Sequence, residues 1–145
     1  MKVNFKFGVF DKILIIGYPN SGKSTLFEDL VALPEFSQHF KLQTDDYKEY
    51  PYVEQLYMIM DELSGCEKWL VEGIQGYRLL RKYAQTEDYD LKPNAILICE
   101  SEKKTPDPKH DNMCKGLDKI WEDYCDIEKD LPQIFYMTDG KNDNR

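Results

Sequence analysis

The run Gly17-Tyr18-Pro19-Asn20-Ser21-Gly22-Lys23-Ser24-Thr25 constrains this chain more than any other feature. It fits G-x-x-x-x-G-K-[ST], and its flanks matter as much as its letters. Before it stands a short β-branched run, Ile13-Leu14-Ile15-Ile16; after it comes Ser24 to Leu33, with Leu26, Phe27, Leu30 and Leu33 at helical spacing before Pro34. A buried strand, a glycine-bearing loop and a helix start, in that order, build an anion cradle. Backbone N–H groups converge at the helix N-terminus, and the glycines let the main chain approach a phosphate closely. On average amino-acid usage, roughly one chain in 200 of this length carries the pattern by chance. The candidate nucleotide contacts are therefore Gly17, Asn20, Ser21, Gly22, Lys23, Ser24 and Thr25. Lys23 would reach the outer phosphates and the Ser24 hydroxyl would ligate Mg²⁺.

The rest of the chain alternates in the same way. Phe40 to Thr44 reads as a second strand, and Pro51 as the first residue of a helix whose Leu56, Ile59, Met60 and Leu63 share a face. Trp69-Leu70-Val71 is a third strand, ending at Glu72-Gly73, and a short helix runs from Tyr77 to Gln85. Ala95 to Cys99 is the fourth strand. Met113, Leu117, Ile120, Tyr124 and Ile127 mark an amphipathic helix, and Ile134 to Met137 makes the fifth strand. Alternating strands and helices predict an α/β fold, a five-stranded parallel sheet with helices on both faces. Val3, Phe5, Phe7 and Val9 alternate with polar or small residues and predict an extra N-terminal edge strand.

A length of 145 residues suits one domain spanning 1–145, large enough to bury a core. No apolar run approaches the ~20 residues of a membrane span, and no signal-peptide core opens the chain, so a cytoplasmic location is expected. With 27 acidic against 19 basic residues the net charge is −8, which disfavours nonspecific adhesion to nucleic acid or anionic membrane. Cys66, Cys99, Cys114 and Cys125 have no metal-site spacing and read as reduced thiols. His39 and His110 read as structural or surface residues, and the tyrosines around Tyr47 to Tyr77 as core packing, with stacking on a base as the other reading.

A phosphate cradle binds a nucleotide but does not name a reaction. Switch GTPases would need an N-K-x-D motif, which the sequence lacks; Gly140-Lys141-Asn142-Asp143 has the wrong order. The short length, the early P-loop and the five strands resemble the nucleoside and nucleotide kinases of the P-loop class, from about Lys12 onward. That resemblance implies ATP and Mg²⁺ as cofactors and adds two segments. Asp45 and Asp46, just after the second strand, stand where hydroxyl-phosphorylating relatives carry an acid that orients the acceptor or takes its proton. An attacking phosphate needs no such base, so the pair favours a hydroxyl acceptor. A plain Asp-rich turn is the other reading. Leu70 to Arg78 is similar to the acid-glycine segment of nucleoside monophosphate kinases, with Glu72 toward Mg²⁺ and Arg78 or Arg81 toward the transferring phosphoryl charge. Arg78, Arg81 and Lys82 have i, i+3, i+4 spacing and are expected to share one helix face, as a charge clamp or as a solvated basic surface.

The segment Glu100 to His110 holds the position of a lid but contains no arginine; Lys103, Lys104 and Lys109 are its point charges. Thr138-Asp139-Gly140-Lys141 follows the fifth strand, where this class places a loop against adenine. The small size also resembles viral-type kinases of 5-hydroxymethyl pyrimidines. The acceptor is accordingly expected to be a nucleoside, a nucleotide or a hydroxymethylated pyrimidine, including one within DNA. The alternatives are a nucleoside monophosphate kinase and a noncatalytic ATP-binding module.

Overall fold

The computed structural model describes residues 6–100 and 108–138. Five strands form one sheet: β1 (Lys12–Gly17), β2 (Phe40–Gln43), β3 (Trp69–Glu72), β4 (Ala95–Glu100) and β5 (Gln133–Thr138). Four α-helices connect them: α1 (Lys23–Val31), α2 (Tyr52–Leu63), α3 (Gln75–Thr86) and α4 (Pro108–Ile127). The strand order is β2-β3-β1-β4-β5, and every neighbouring pair is parallel. Strands β1, β3 and β4 are nearly continuous runs of apolar residues because both of their faces are covered.

The two covers differ. Ile13, Ile15, Leu70 and Leu97 face α1, whose Leu26, Phe27 and Leu30 close that side together with Phe7 and Phe36. On the other face Leu14, Ile16, Val71 and Ile96 meet three helices, through Leu56 and Ile59 of α2, Leu80 and Tyr83 of α3, and Leu117 and Tyr124 of α4. Each fully buried aliphatic side chain is worth about 1.5–3 kcal/mol. No helix among the described residues is long and apolar enough to cross a membrane.

This topology fixes where a ligand goes. From β1 the chain moves outward to β2, returns through β3 beside β1, and then places β4 on β1's other side. The strand order therefore reverses at β1, and a crevice opens beyond its carboxyl end. The phosphate-binding loop occupies that crevice.

Among the described residues, 6–11 do not form the predicted N-terminal edge strand. Phe7–Val9 forms a 3-10 helix, closed by Phe10 N–H donating to the Phe7 carbonyl at 3.0 Å, and residues 1–5 lie outside the described part. The Gly8 N–H donates to the Glu35 carboxylate at 2.8 Å instead of to a sheet neighbour. Phe7 packs edge-on against Phe135, ring centroids 5.1 Å apart, while Val9 is exposed. A buried aromatic at one position, not an alternating face, anchors this segment.

Candidate functional site

β1 ends at Gly17, where a Cβ would lie 2.7 Å from the Cys99 carbonyl and 2.5 Å from Ser21 Oγ. The loop then turns on Asn20, at φ 62°, and on Gly22, at φ 94°. Gly22 caps α1 without any side-chain hydrogen bond, so the first-turn amides of the helix remain for a ligand. They face a cavity of about 460 Å³ lined by residues 19–25 together with Asp45, Glu72, Gly73 and Ile74.

Lys23 is buried, and its ammonium donates to the Tyr18 carbonyl at 2.7 Å. Burial lowers its pKa, an effect opposed by the nearby Glu72 carboxylate. An ammonium held short of water gives up little hydration when it meets a phosphate. Glu72 is buried too. Its Oε1 accepts from Ser24 Oγ at 3.4 Å and from Gln43 Nε2 at 2.9 Å. Ser24 and Glu72 thus stand within hydrogen-bond distance of each other, and both line the cavity. That donor set fits Mg²⁺, which prefers oxygen ligands and completes its shell with waters and phosphate oxygens. No group of three or more potential metal-binding side chains occurs among the described residues.

Gln43 braces Glu72 from beside the cavity, a contact with no local signal in the sequence. It stands opposite Glu72 only because β2 pairs with β3 in the register Gln43↔Glu72. Gly73 completes the junction: at φ 139°, a Cβ there would collide with Thr44 Oγ1 and come 2.8 Å from Thr44 Cβ. Close approach at this point brings the turn carrying Asp45 against the end of β3. Gly73→Ala should cost about 1–3 kcal/mol, lowering Tm by roughly 5 °C, with turnover falling as Asp45 is displaced. Thermal denaturation and an activity assay on the same preparation check both effects.

The two acids separate. Residues Thr44–Tyr47 form a 3-10 turn, and Asp45 lines the phosphate cavity whereas Asp46 does not. Asp46 instead acts on Tyr47, whose hydroxyl is pushed up by burial and by the nearby Glu62 and Asp46 charges.

The expected basic face of α3 also divides, because its neighbours lie on two sides. Arg81 pairs with Asp123 of α4 at 3.7 Å, both side chains about one-third exposed. Arg78 turns to α2, donating to Gln75 Oε1 at 2.9 Å and to the Tyr52 carbonyl at 3.4 Å, with its guanidinium 4.3 Å above the Tyr52 ring. Neither arginine lines the phosphate cavity. Arg81→Ala should leave nucleotide affinity and turnover within about twofold of wild type, since a half-exposed pair contributes about 0–1 kcal/mol to stability and nothing to the ligand. Steady-state kinetics with a melting curve checks this. Of the candidate lid lysines, Lys103 and Lys104 lie outside the described residues, and Lys109 is in the first turn of α4. Thr138 ends β5, and Asp139 to Lys141 lie outside the described residues.

A second cleft, of about 340 Å³, opens on the far side of the loop between β4, β5, α3 and α4. Tyr18 borders it, donating its hydroxyl to Asp118 of α4 at 2.6 Å, a bond that pushes the phenol up to about 12. His110 bonds the Pro19 carbonyl at 3.3 Å and lies 3.8 Å from the Cys114 sulfur, so it packs against the loop as part of α4. Burial pushes the Cys99 thiol to about 12, too high for a nucleophile at neutral pH.

An all-parallel sheet with this loop at the reversal of its strand order defines a P-loop NTPase. The family model of the 50S ribosome-binding GTPase matches residues 12–121, from β1 into α4, and the chain belongs to that family. No curated protein matches the chain. Domains of this class bind nucleotide, and the P-loop with its cavity is the candidate site for it.

Proposed function

We propose that the protein is a Mg²⁺-dependent phosphotransferase that moves the γ-phosphoryl group of a nucleoside triphosphate, ATP in the first instance, to an acceptor hydroxyl. The observation that supports this reading is Asp45, a carboxylate that lines the phosphate cavity together with Lys23, Ser24 and Glu72. A carboxylate there has no use in holding phosphates, which it repels; it suits the proton or orientation of an incoming oxygen nucleophile. Lys23 and the amides at the start of α1 hold the phosphates. Ser24 and Glu72, braced by Gln43, hold the ion, which when bound neutralises charge developing on the transferring group. The acceptors of this reading are a nucleoside, a nucleotide or a hydroxymethylated pyrimidine.

The family match supports a second reading, in which the nucleotide is GTP and the nucleophile is water. The missing N-K-x-D weighs against guanine recognition of the usual kind. Gln75, the glutamine nearest the end of β3, is held by Gln55 and Arg78, which weighs against a role in placing water. Incubation with γ-labelled ATP or GTP, with and without a panel of nucleosides, nucleotides and hydroxymethylated DNA, separates the two. Label on an acceptor is the expected result. Label released only as inorganic phosphate, from GTP and with every acceptor, would establish the hydrolase.

A further inference from the structure

Four of the large apolar side chains left exposed gather at the start of α2: Tyr50 at 46%, Tyr52 at 63%, Val53 at 68% and Tyr57 at 55%. Sequence reasoning places tyrosines of this region in the core, but the α2 face that packs on the sheet carries Leu56, Ile59 and Leu63, which leaves Tyr52 and Tyr57 outward. Two cations of α3 stand over these rings. The Arg78 guanidinium lies 4.3 Å from the Tyr52 centroid, and the Lys82 ammonium lies 5.5 Å from that of Tyr57. Among the described residues neither cation has an acidic partner. Both hydrogen bonds of Arg78 leave from one nitrogen, Nη1, so the rest of its fork is available.

We infer that this face of α2 and α3 binds a single-stranded nucleic acid, its bases stacking on Tyr52 and Tyr57 and its phosphates meeting Arg78 and Lys82. An exposed tyrosine with a cation over one ring face complements a nucleotide, its other face taking the base and the cation the phosphate. The unit occurs twice, its tyrosines about 7.5 Å apart along the helix axis. A repeated ring-plus-cation unit calls for a polymer rather than a mononucleoside. Duplex nucleic acid keeps its bases stacked on one another and has no face to offer. The exposed acids Glu49 and Glu54 flank the strip, so the contact is short and led by stacking rather than by charge, in keeping with a chain of net charge −8. The strip is also tied to the turn that carries Asp45. Arg78 holds Gln75, Gln75 Nε2 donates to Gln55 Oε1 at 2.9 Å, and Gln55 Nε2 donates to the Tyr50 carbonyl at 2.9 Å. A bound strand would thus lie on the helices that frame the phosphate cavity. The inference does not depend on phosphoryl transfer, and its test measures binding alone.

The test is fluorescence anisotropy of the full chain with labelled single-stranded DNA and RNA 12-mers, and with the matching duplexes. The expected result is saturable binding of single strands and at least tenfold weaker binding of duplex. Tyr52→Ala and Tyr57→Ala should each weaken single-strand affinity roughly tenfold, while Tyr→Phe at either position retains it. Arg78→Ala and Lys82→Ala should each reduce the slope of log affinity against log salt by about 0.7. Circular dichroism and nucleotide affinity, which should not change because none of the four residues lines the phosphate cavity, confirm that the variants are folded. Equal affinity for duplex, full affinity in both Tyr→Ala variants, or no binding to either strand type would overturn the inference, the last being the outcome for a surface that takes a protein instead.

Discussion

Lys23→Ala is expected to reduce turnover by at least ~10³-fold and to remove productive nucleotide binding while leaving the fold intact. The magnitude follows from losing a preorganised charge aimed at the phosphates in a partly dehydrated cavity, where such donors are worth about 10²–10³ or more. The fold should survive because the Lys23 ammonium bonds only the Tyr18 carbonyl of its own loop, while the first core residue of α1 is Leu26. Burial even makes the charged lysine a cost. Its folded pKa is lowered, so the unfolded chain binds this proton more readily, and the penalty is largest below the folded pKa. It fades as pH rises toward the free value of 10.5. Lys23→Met, which keeps the stem without the charge, should therefore retain Tm within a few degrees at neutral pH and flatten the alkaline rise in stability. Isothermal titration with ATP and GTP, paired with melting curves across pH, reads all of this. Wild-type affinity in a folded Lys23→Ala variant would remove the P-loop from nucleotide binding.

Asp45→Asn is expected to cut turnover by ~10²–10⁴, the range for general acid–base help, with nucleotide affinity near wild type. Asp46→Asn should be close to silent, because Asp46 does not line the cavity. The contrast is the informative part. Both substitutions remove one negative charge from the same turn, so a field effect would act through either, whereas a positioned carboxylate acts through one. Asn keeps the size and hydrogen-bonding capacity of Asp but takes up no proton. Turnover in both variants and in the double variant at wild-type level would remove the carboxylate from the reaction.

How much of this was legible in the sequence follows from the range of the interactions involved. The phosphate loop could be read in full because it is local: Gly17 to Thr25 carry their own turn, their own left-handed positions and the start of α1. The five strands were legible for a similar reason, since burial on both faces writes uninterrupted apolar runs such as Ile13 to Ile16 and Ala95 to Cys99. Asp45 and Asp46 were visible as a pair, but a 3-10 turn separates neighbours by about a third of a rotation, and only the packing of Gly73 against Thr44 decides which one enters the cavity. Gln43 depended on strand register, to which no single segment holds the key. Arg78 and Arg81 were grouped by helical spacing, yet a helix wedged between α2 and α4 gives each side a different partner, Tyr52 on one and Asp123 on the other. In the described part of the N-terminal segment, one buried aromatic, Phe7, and a Gly8 amide bound to Glu35 stand in place of the expected alternation.

The destination of the γ-phosphoryl group separates transfer from hydrolysis, and turnover in oxygen-18 water follows that group directly. With an acceptor that supports turnover, the predicted result is a phosphorylated acceptor free of oxygen-18, because the attacking oxygen comes from the acceptor hydroxyl. The same reaction with Asp45→Asn should give little of that product. Recovery of the γ-phosphate solely as inorganic phosphate carrying oxygen-18, at a rate no acceptor changes, would contradict the account and make water the nucleophile.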